Sequence, residues 1–127
     1  MTDTRVADLG KGNRFVLLTT YRRDGTPVST AMWAAPDGDD LVFWTPADTW
    51  KVKRLRRDPA VRVQACDRPG RNTFGPELAG VGEIVDADTV ASLLARKYGI
   101  VGALMIRGSR LFHPRVGSVG IRVRDAA

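Results

Sequence analysis

One cysteine, Cys66, and one histidine, His113, are the whole supply of thiol and imidazole in this sequence. A single cysteine excludes an internal disulfide and fits a reducing compartment. One Cys and one His are too few for a zinc site. No run approaches the roughly 18 consecutive apolar residues of a membrane span. The opening "MTDTRVADLG" is acidic in part and has no apolar core. No secretory signal is expected there, and a cytoplasmic location is. Nucleophilic and phosphate-loop machinery is missing too. There is no Ser-His-Asp set, paired-carboxylate motif or Walker loop, and "GKGNR" (10–14) has too few glycines to cradle a phosphate.

What is present is a single-domain length, 127 residues, expected to form one domain over 1–127, with 43% hydrophobic residues to build its core. Twenty Lys and Arg against fourteen Asp and Glu give a net charge of +6 and a pI near 10.2, which favours anionic partners and names none. Arg far outnumbers Lys. That suits bidentate phosphate or carboxylate recognition, and a GC-rich genome would give the same bias.

Turn signals divide the chain. "RFVLLTTYRR" (14–23) is β-rich and ends at Asp24-Gly25, a hairpin signal. "TPVSTAMWAA" follows, then the turn Pro36–Asp40, then "LVFWT". Residues 14–45 therefore read as a three-stranded antiparallel meander. Thr45-Pro46 or Asp48 can cap a helix running to about Arg57, stopped by Asp58-Pro59. "AVRVQAC" (60–66), "LAGVGEIVD" (78–86) and "SVGIRVR" (118–124) read as strands, with a turn at 67–71. Asp88 opens a second helix with Val90, Leu93, Leu94 and Tyr98 at helical spacing, and Gly99 is placed to end it. Residues 100–112 fit a helix or a strand. The expected fold is mainly β: a small barrel of about six antiparallel strands with flanking short helices.

The segment "KVKRLRR" (51–57) is five-sevenths basic. Val52 and Leu55 are three apart and can face a core. Lys51 and Arg54 would share one flank, Lys53 and Arg57 another. Repulsion between like charges at these spacings costs only about 0.2–0.5 kcal/mol per pair. A solvated basic face, a nucleic-acid patch and an anionic cofactor site all remain open on these residues alone. Lys51 lies near the helix N-terminus, where the dipole and free N–H groups already favour phosphate.

The order "TTYRRDGTPVSTAMW", "LVFWT", "KVKRLRRDPAVRV", "RPGR" resembles the pyridoxamine-phosphate-oxidase-like superfamily of flavin-binding split β-barrels. Within it the chain is most similar to the small proteins that use the deazaflavin coenzyme F420. The resemblance spans roughly residues 14–86, and "RKYG" extends it towards 99. It implies a split β-barrel, a homodimer and a cofactor held between subunits. It implies that Ser29, Thr30 and Ala31 lie against the cofactor ring, that Trp44 and Thr45 end the neighbouring strand, and that Lys51, Lys53 and Arg54 hold the phosphate. Gly70 and Arg71 fall in the turn that approaches the cofactor's tail. Small side chains under a flat ring and cations at a helix start are the residue types such a ligand needs. Surplus cations at Arg56, Arg57, Arg62, Arg68 and Arg71 suit the polyglutamate tail of F420, or are ordinary surface arginines.

The resemblance thus implies an oxidoreductase that passes a hydride from reduced F420 to an electron-poor small molecule. FMN is the alternative cofactor. A non-catalytic flavin- or haem-binding barrel is the alternative of another class. No catalytic residue is assigned: the lone His113 beside Pro114 reads as structural, Cys66 as packing, and Tyr21 and Tyr98 as weak proton-donor candidates. The chain stops at "IRVRDAA", so the substrate-binding C-terminal part of the family's oxidases is not expected. Nucleic-acid binding is not expected either, because aromatic residues interleaving with the basic run are scarce.

Overall fold

In the computed structural model, residues 4–11, 13–67, 70–112 and 117–126 are described, with backbone alone over 100–112. A short helix α1 (Val6–Leu9) precedes β1 (Phe15–Tyr21), β2 (Pro27–Met32), β3 (Ala34–Asp37) and β4 (Asp40–Pro46). Helix α2 (Trp50–Arg57), β5 (Ala60–Cys66), β6 (Thr73–Asp86), α3 (Ala87–Phe112) and β7 (Ser118–Asp125) follow. Among the described residues, seven strands form one sheet in the order β2-β1-β5-β6-β7-β4-β3, every pair antiparallel. The fold is the expected mainly β split barrel with flanking helices, with seven strands rather than six. No helix among the described residues is long and apolar enough to cross a membrane.

The extra strand overturns the meander. "TPVSTAMWAA" is two strands broken at Trp33. β2 pairs with β1, in register Leu17↔Ala31, while β3 pairs with β4, in register Ala35↔Val42. The two hairpins lie at opposite edges of the sheet. The cause is an anchor on α3. Ala34 N–H donates to the Tyr98 hydroxyl at 3.2 Å, and the Ala34 carbonyl accepts from Lys97 Nζ at 2.5 Å. Those contacts use the polar groups that would otherwise have continued the β1 ladder.

Alternation fills the barrel. Val16, Leu18, Leu41, Phe43, Val63, Ile121 and Val123 are at most 1% exposed and point inward. Each such side chain contributes about 1.5–3 kcal/mol by leaving water. Their neighbours in sequence face outward, where Val42 and Ala35 meet Val90 and Leu94 of α3, with Trp33, Trp44 and Tyr98 at the margin. Helix α2 buries Val52 and Leu55, as their spacing requires. Its N-cap is Thr49, neither Thr45 nor Asp48, and the Thr49 hydroxyl donates to the Pro46 carbonyl at 3.3 Å instead of capping. The helix stops at Asp58, extended before Pro59 at φ −139°. Gly99, at φ 65° and ψ −140°, ends the first helical segment of α3 as expected, and a second segment begins beyond this kink and runs to Phe112.

α3 lies so close to β7 that a Cβ on Gly120 would stand 2.4 Å from Val90 Cγ2 and 2.9 Å from Val85 Cγ2. Gly120→Ala is therefore expected to destabilise by about 1–3 kcal/mol, the usual cost of overpacking, in urea unfolding. Unchanged stability would mean that α3 does not seat here.

Candidate functional site

β2 and β4 belong to different hairpins, yet their ends line one cleft of about 300 Å³. Thr30, Ala31 and Met32 come from β2, Trp44 and Thr45 from β4, and Lys51 from the first turn of α2. Phe15, Trp33 and Leu94 supply apolar wall. Five of the ten residues proposed from the sequence, Thr30, Ala31, Trp44, Thr45 and Lys51, thus meet at one place.

Two polar atoms at this cleft are buried without a hydrogen-bond partner: Trp44 Nε1 and Thr45 Oγ1. Thr45 is 1% exposed. An unmet buried polar group costs about 1–3 kcal/mol, so the free protein carries a penalty that a polar ligand can remove. Lys51 adds to it. Burial, then the nearby charge of Arg54, lowers its ammonium below the ordinary lysine value. No carboxylate pairs with it among the described residues. A half-buried cation without a partner is a place for an anion.

The other five proposed residues stand elsewhere. The Ser29 hydroxyl is paired with Thr19 Oγ1 at 2.7 Å, across β1 and β2. Gly70, at φ 77°, packs its turn beside the cleft between β2 and β4: a Cβ there would lie 3.4 Å from Ala31 Cβ. Arg71 is exposed, its backbone N–H held by Asp67 Oδ1 at 3.0 Å. Lys53 and Arg54 line a second cleft of about 590 Å³ with Arg22, Arg23, Trp50 and Arg57. Lys53 and Arg57 share a flank, as the sequence suggests, and Arg54 joins them there while its charge still reaches Lys51. Trp50, Lys53, Arg54 and Arg57 form one i, i+3, i+4, i+7 face, and Lys51 lies on another. That period is visible in the sequence, where Trp50, like Trp33 and Trp44, reads as core packing or as a surface for stacking. Arg68 and His113 lie outside the described residues.

Sequence reasoning also missed the wall behind this cleft. Trp33 stacks on Tyr98 with centroids 4.1 Å apart and planes 9° from parallel. The Tyr98 hydroxyl donates to the Arg14 carbonyl at 2.6 Å, and Lys97 Nζ donates to the Asn13 carbonyl at 2.7 Å. Tyr98 is thus a buttress with its hydroxyl engaged, not a free proton donor. Burial lowers the Lys97 ammonium to about 8.

A profile of the family described as pyridoxamine 5'-phosphate oxidase matches residues 2–117. The chain belongs to this family. Solved structures agree with the membership. A conserved hypothetical protein of Mycobacterium tuberculosis is 26% identical with a TM-score of 0.72, covering 100% of this chain and 82% of that one. An F420 reductase is 26% identical with a TM-score of 0.65, covering 99% and 97%. A haem storage protein of Vibrio cholerae shares the fold at a TM-score of 0.70 with 11% identity, covering 98% and 92%. No curated protein sequence matches. Within this family fold, the Trp33–Tyr98 stack and the Lys97 anchor brace the cleft between β2 and β4.

Lys97 gives a pH signature. Its folded value, about 8, lies below the ordinary 10.5. Between these values the unfolded chain holds the proton that the folded chain has released, so stability gains as pH rises. The unfolding free energy of wild type relative to Lys97→Met is expected to shift in the wild type's favour from about pH 7.5 to 9.5. A flat difference would place the Lys97 amine in water.

Proposed function

We propose that this chain is an F420-dependent oxidoreductase, acting as a homodimer, that reduces an electron-poor small molecule such as an enone, quinone or nitro compound. The observation that carries the proposal is the joining, in one cleft, of small β2 side chains, two unpartnered polar atoms and an unpaired lysine at a helix start. The 26% identity to an F420 reductase over nearly the full length of both chains supports the choice of cofactor.

The residues fit such a group. Thr30 and Ala31 leave the β2 backbone accessible to a flat ring. Trp44 Nε1 donates and Thr45 Oγ1 donates or accepts, matching a heterocycle with carbonyl and N–H edges. Lys51 sits beside the first-turn N–H groups of α2, where no acidic residue competes for them. Phe15, Met32 and Leu94 keep water from one side. When bound, the reduced deazaflavin supplies the hydride, so the chain needs to position and shield it rather than provide a nucleophile. Exposed Phe74, and the run 73–77 exposed around it, offer surface for a second subunit. A cytoplasmic location fits the proposed small-molecule chemistry and the single thiol.

Fluorescence titration with F420, and separately with FMN, tests the reading. Expected are micromolar or tighter F420 binding, weaker FMN binding and turnover of at least one acceptor. Tight FMN binding with no F420 binding would move the chemistry to flavin. Binding of F420 without turnover of any acceptor would leave a carrier, not an enzyme. Light scattering showing a monomer would remove the dimer.

Two variants probe the polar atoms. Lys51→Ala loses a charged hydrogen bond of about 1.5–3 kcal/mol, so F420 affinity is expected to fall roughly 10- to 150-fold. Thr45→Val removes an atom that has no partner in the free protein. It should leave stability equal or higher, by up to about 1–3 kcal/mol, while weakening F420. A destabilised Thr45→Val protein with unchanged affinity would show that the hydroxyl serves the fold.

A further inference from the structure

The larger cleft is built differently from the cleft over β2. It lies between the β1–β2 turn, carrying Arg22 and Arg23, and the Trp50, Lys53, Arg54, Arg57 face of α2. At about 590 Å³ it is of ordinary size for a small-molecule site. None of its five cations forms an ion pair among the described residues, and no carboxylate lines it. Two guanidinium groups are aimed by β1: Arg54 Nε donates to Thr20 Oγ1 at 2.9 Å, and Arg57 Nη2 to the Tyr21 carbonyl at 2.6 Å. Each keeps further N–H donors in a planar fork that matches phosphate. The cations also work against one another. Burial, then the charge of Arg22, lowers the Arg54 guanidinium.

Trp50 sets the second requirement. It is 69% exposed, a large aromatic surface left in water at the cleft wall. Lys53 Nζ stands 4.5 Å from its ring centroid, which occupies one face and leaves the other for stacking. A bare anion would leave this ring unused, and a neutral aromatic would leave five cations unpaired. A flat base beside a phosphate satisfies both.

We propose that this cleft is a second ligand site, distinct from the cleft over β2, and that it takes a nucleoside phosphate, with the base on Trp50 and the phosphate among Arg22, Arg23, Arg54 and Arg57. The ligand chemistry is shared by a free nucleotide and by one unit of a single strand. The proposal stands whether or not the other cleft takes F420.

The test is a titration of the full chain with adenosine 5'-monophosphate, read by tryptophan fluorescence. Saturable quenching is expected, and inorganic phosphate at the same concentration should produce none. Trp50→Ala should weaken binding about tenfold or more and remove the quenching, as loss of a stacking platform does. The double variant Arg22→Ser/Arg23→Ser, on an exposed turn, should weaken it about tenfold or more through lost charged hydrogen bonds. A hexamer of deoxyadenylate separates the sources: affinity that rises with length indicates a strand, and affinity equal to the monophosphate indicates a free nucleotide. Four results would overturn the proposal. They are no binding, phosphate competing as well as the nucleotide, binding unchanged in Trp50→Ala, and one-for-one displacement by F420, which would make the cleft part of the cofactor's own site.

Discussion

Ala34 is held on both of its backbone groups by α3, and the geometry of the cleft between β2 and β4 depends on that hold. Its carbonyl accepts from Lys97, and its N–H donates to the Tyr98 hydroxyl. An edge strand that ran on from β2 through Trp33 would have stayed beside β1. Instead the chain leaves that ladder at Trp33, crosses, and starts a new edge beside β4. The crossing brings β2 and the end of β4, strands with four others between them in hydrogen-bonding order, to the two sides of one cleft. Trp33, caught between Phe15 and Tyr98, is the hinge of this arrangement and also part of the cleft wall. The anchor is costly. A lysine ammonium is brought out of water, its proton weakened, to donate to two carbonyls. Such a cost is tolerated where it fixes which of two similar backbone paths is taken.

The same logic separates stability from function elsewhere. Arg122 is paired with Asp37 and Asp40, tying β7 to the β3–β4 turn. Arg62 is paired with Glu77. These cations have carboxylates and need nothing further. Lys51, Lys53, Arg54 and Arg57 of α2, and Arg22 and Arg23 of the turn beside it, have none among the described residues. Folding alone gives no reason to gather them. Burial first, and the charge of a neighbouring arginine second, lower both Lys51 and Arg54, a standing cost that an anion would relieve.

Sequence patterns reached the strands and stopped at their partners. Period-two alternation placed "AVRVQAC" and "SVGIRVR" within a residue of β5 and β7, because each buries one face. Alternation reports which face is buried. It is silent on which strand lies alongside, so β2 and β3 read as one strand and the two hairpins as a meander. The cleft between β2 and β4 was half legible for a related reason. Thr30, Ala31, Trp44, Thr45 and Lys51 could be proposed from residue type and family pattern, since a flat anionic ligand restricts both. That Ser29 spends its hydroxyl on Thr19, and that Trp44 and Thr45 have unmet polar atoms, depends on long-range contacts no local pattern encodes. Lys97 and Tyr98 looked like ordinary positions of an amphipathic helix, and only the crossing at Ala34 gives them work.

Helix α2 shows how one short element can present two separate cationic surfaces. Its macrodipole is answered at the C-terminal end alone, by Arg54, Arg56 and Arg57 in the last turn. At its N-terminal end no acidic residue lies in the first turn, and Thr49 turns its hydroxyl back to Pro46. An aspartate at the N-cap would have stabilised the helix by about 1 kcal/mol, but it would also have placed a fixed negative charge next to Lys51. Forgoing that cap keeps the first turn electropositive. The remaining faces follow from the 3.6-residue period. Val52 and Leu55 are committed to the core, which leaves Lys51 on the side of β4 and Trp50, Lys53, Arg54 and Arg57 on the side of the β1–β2 turn. With its apolar face fixed by burial, the helix cannot rotate to merge the two cationic surfaces. Any ligand charge at Lys51 and any at the Trp50 face must therefore be met by different sides of the same eight residues.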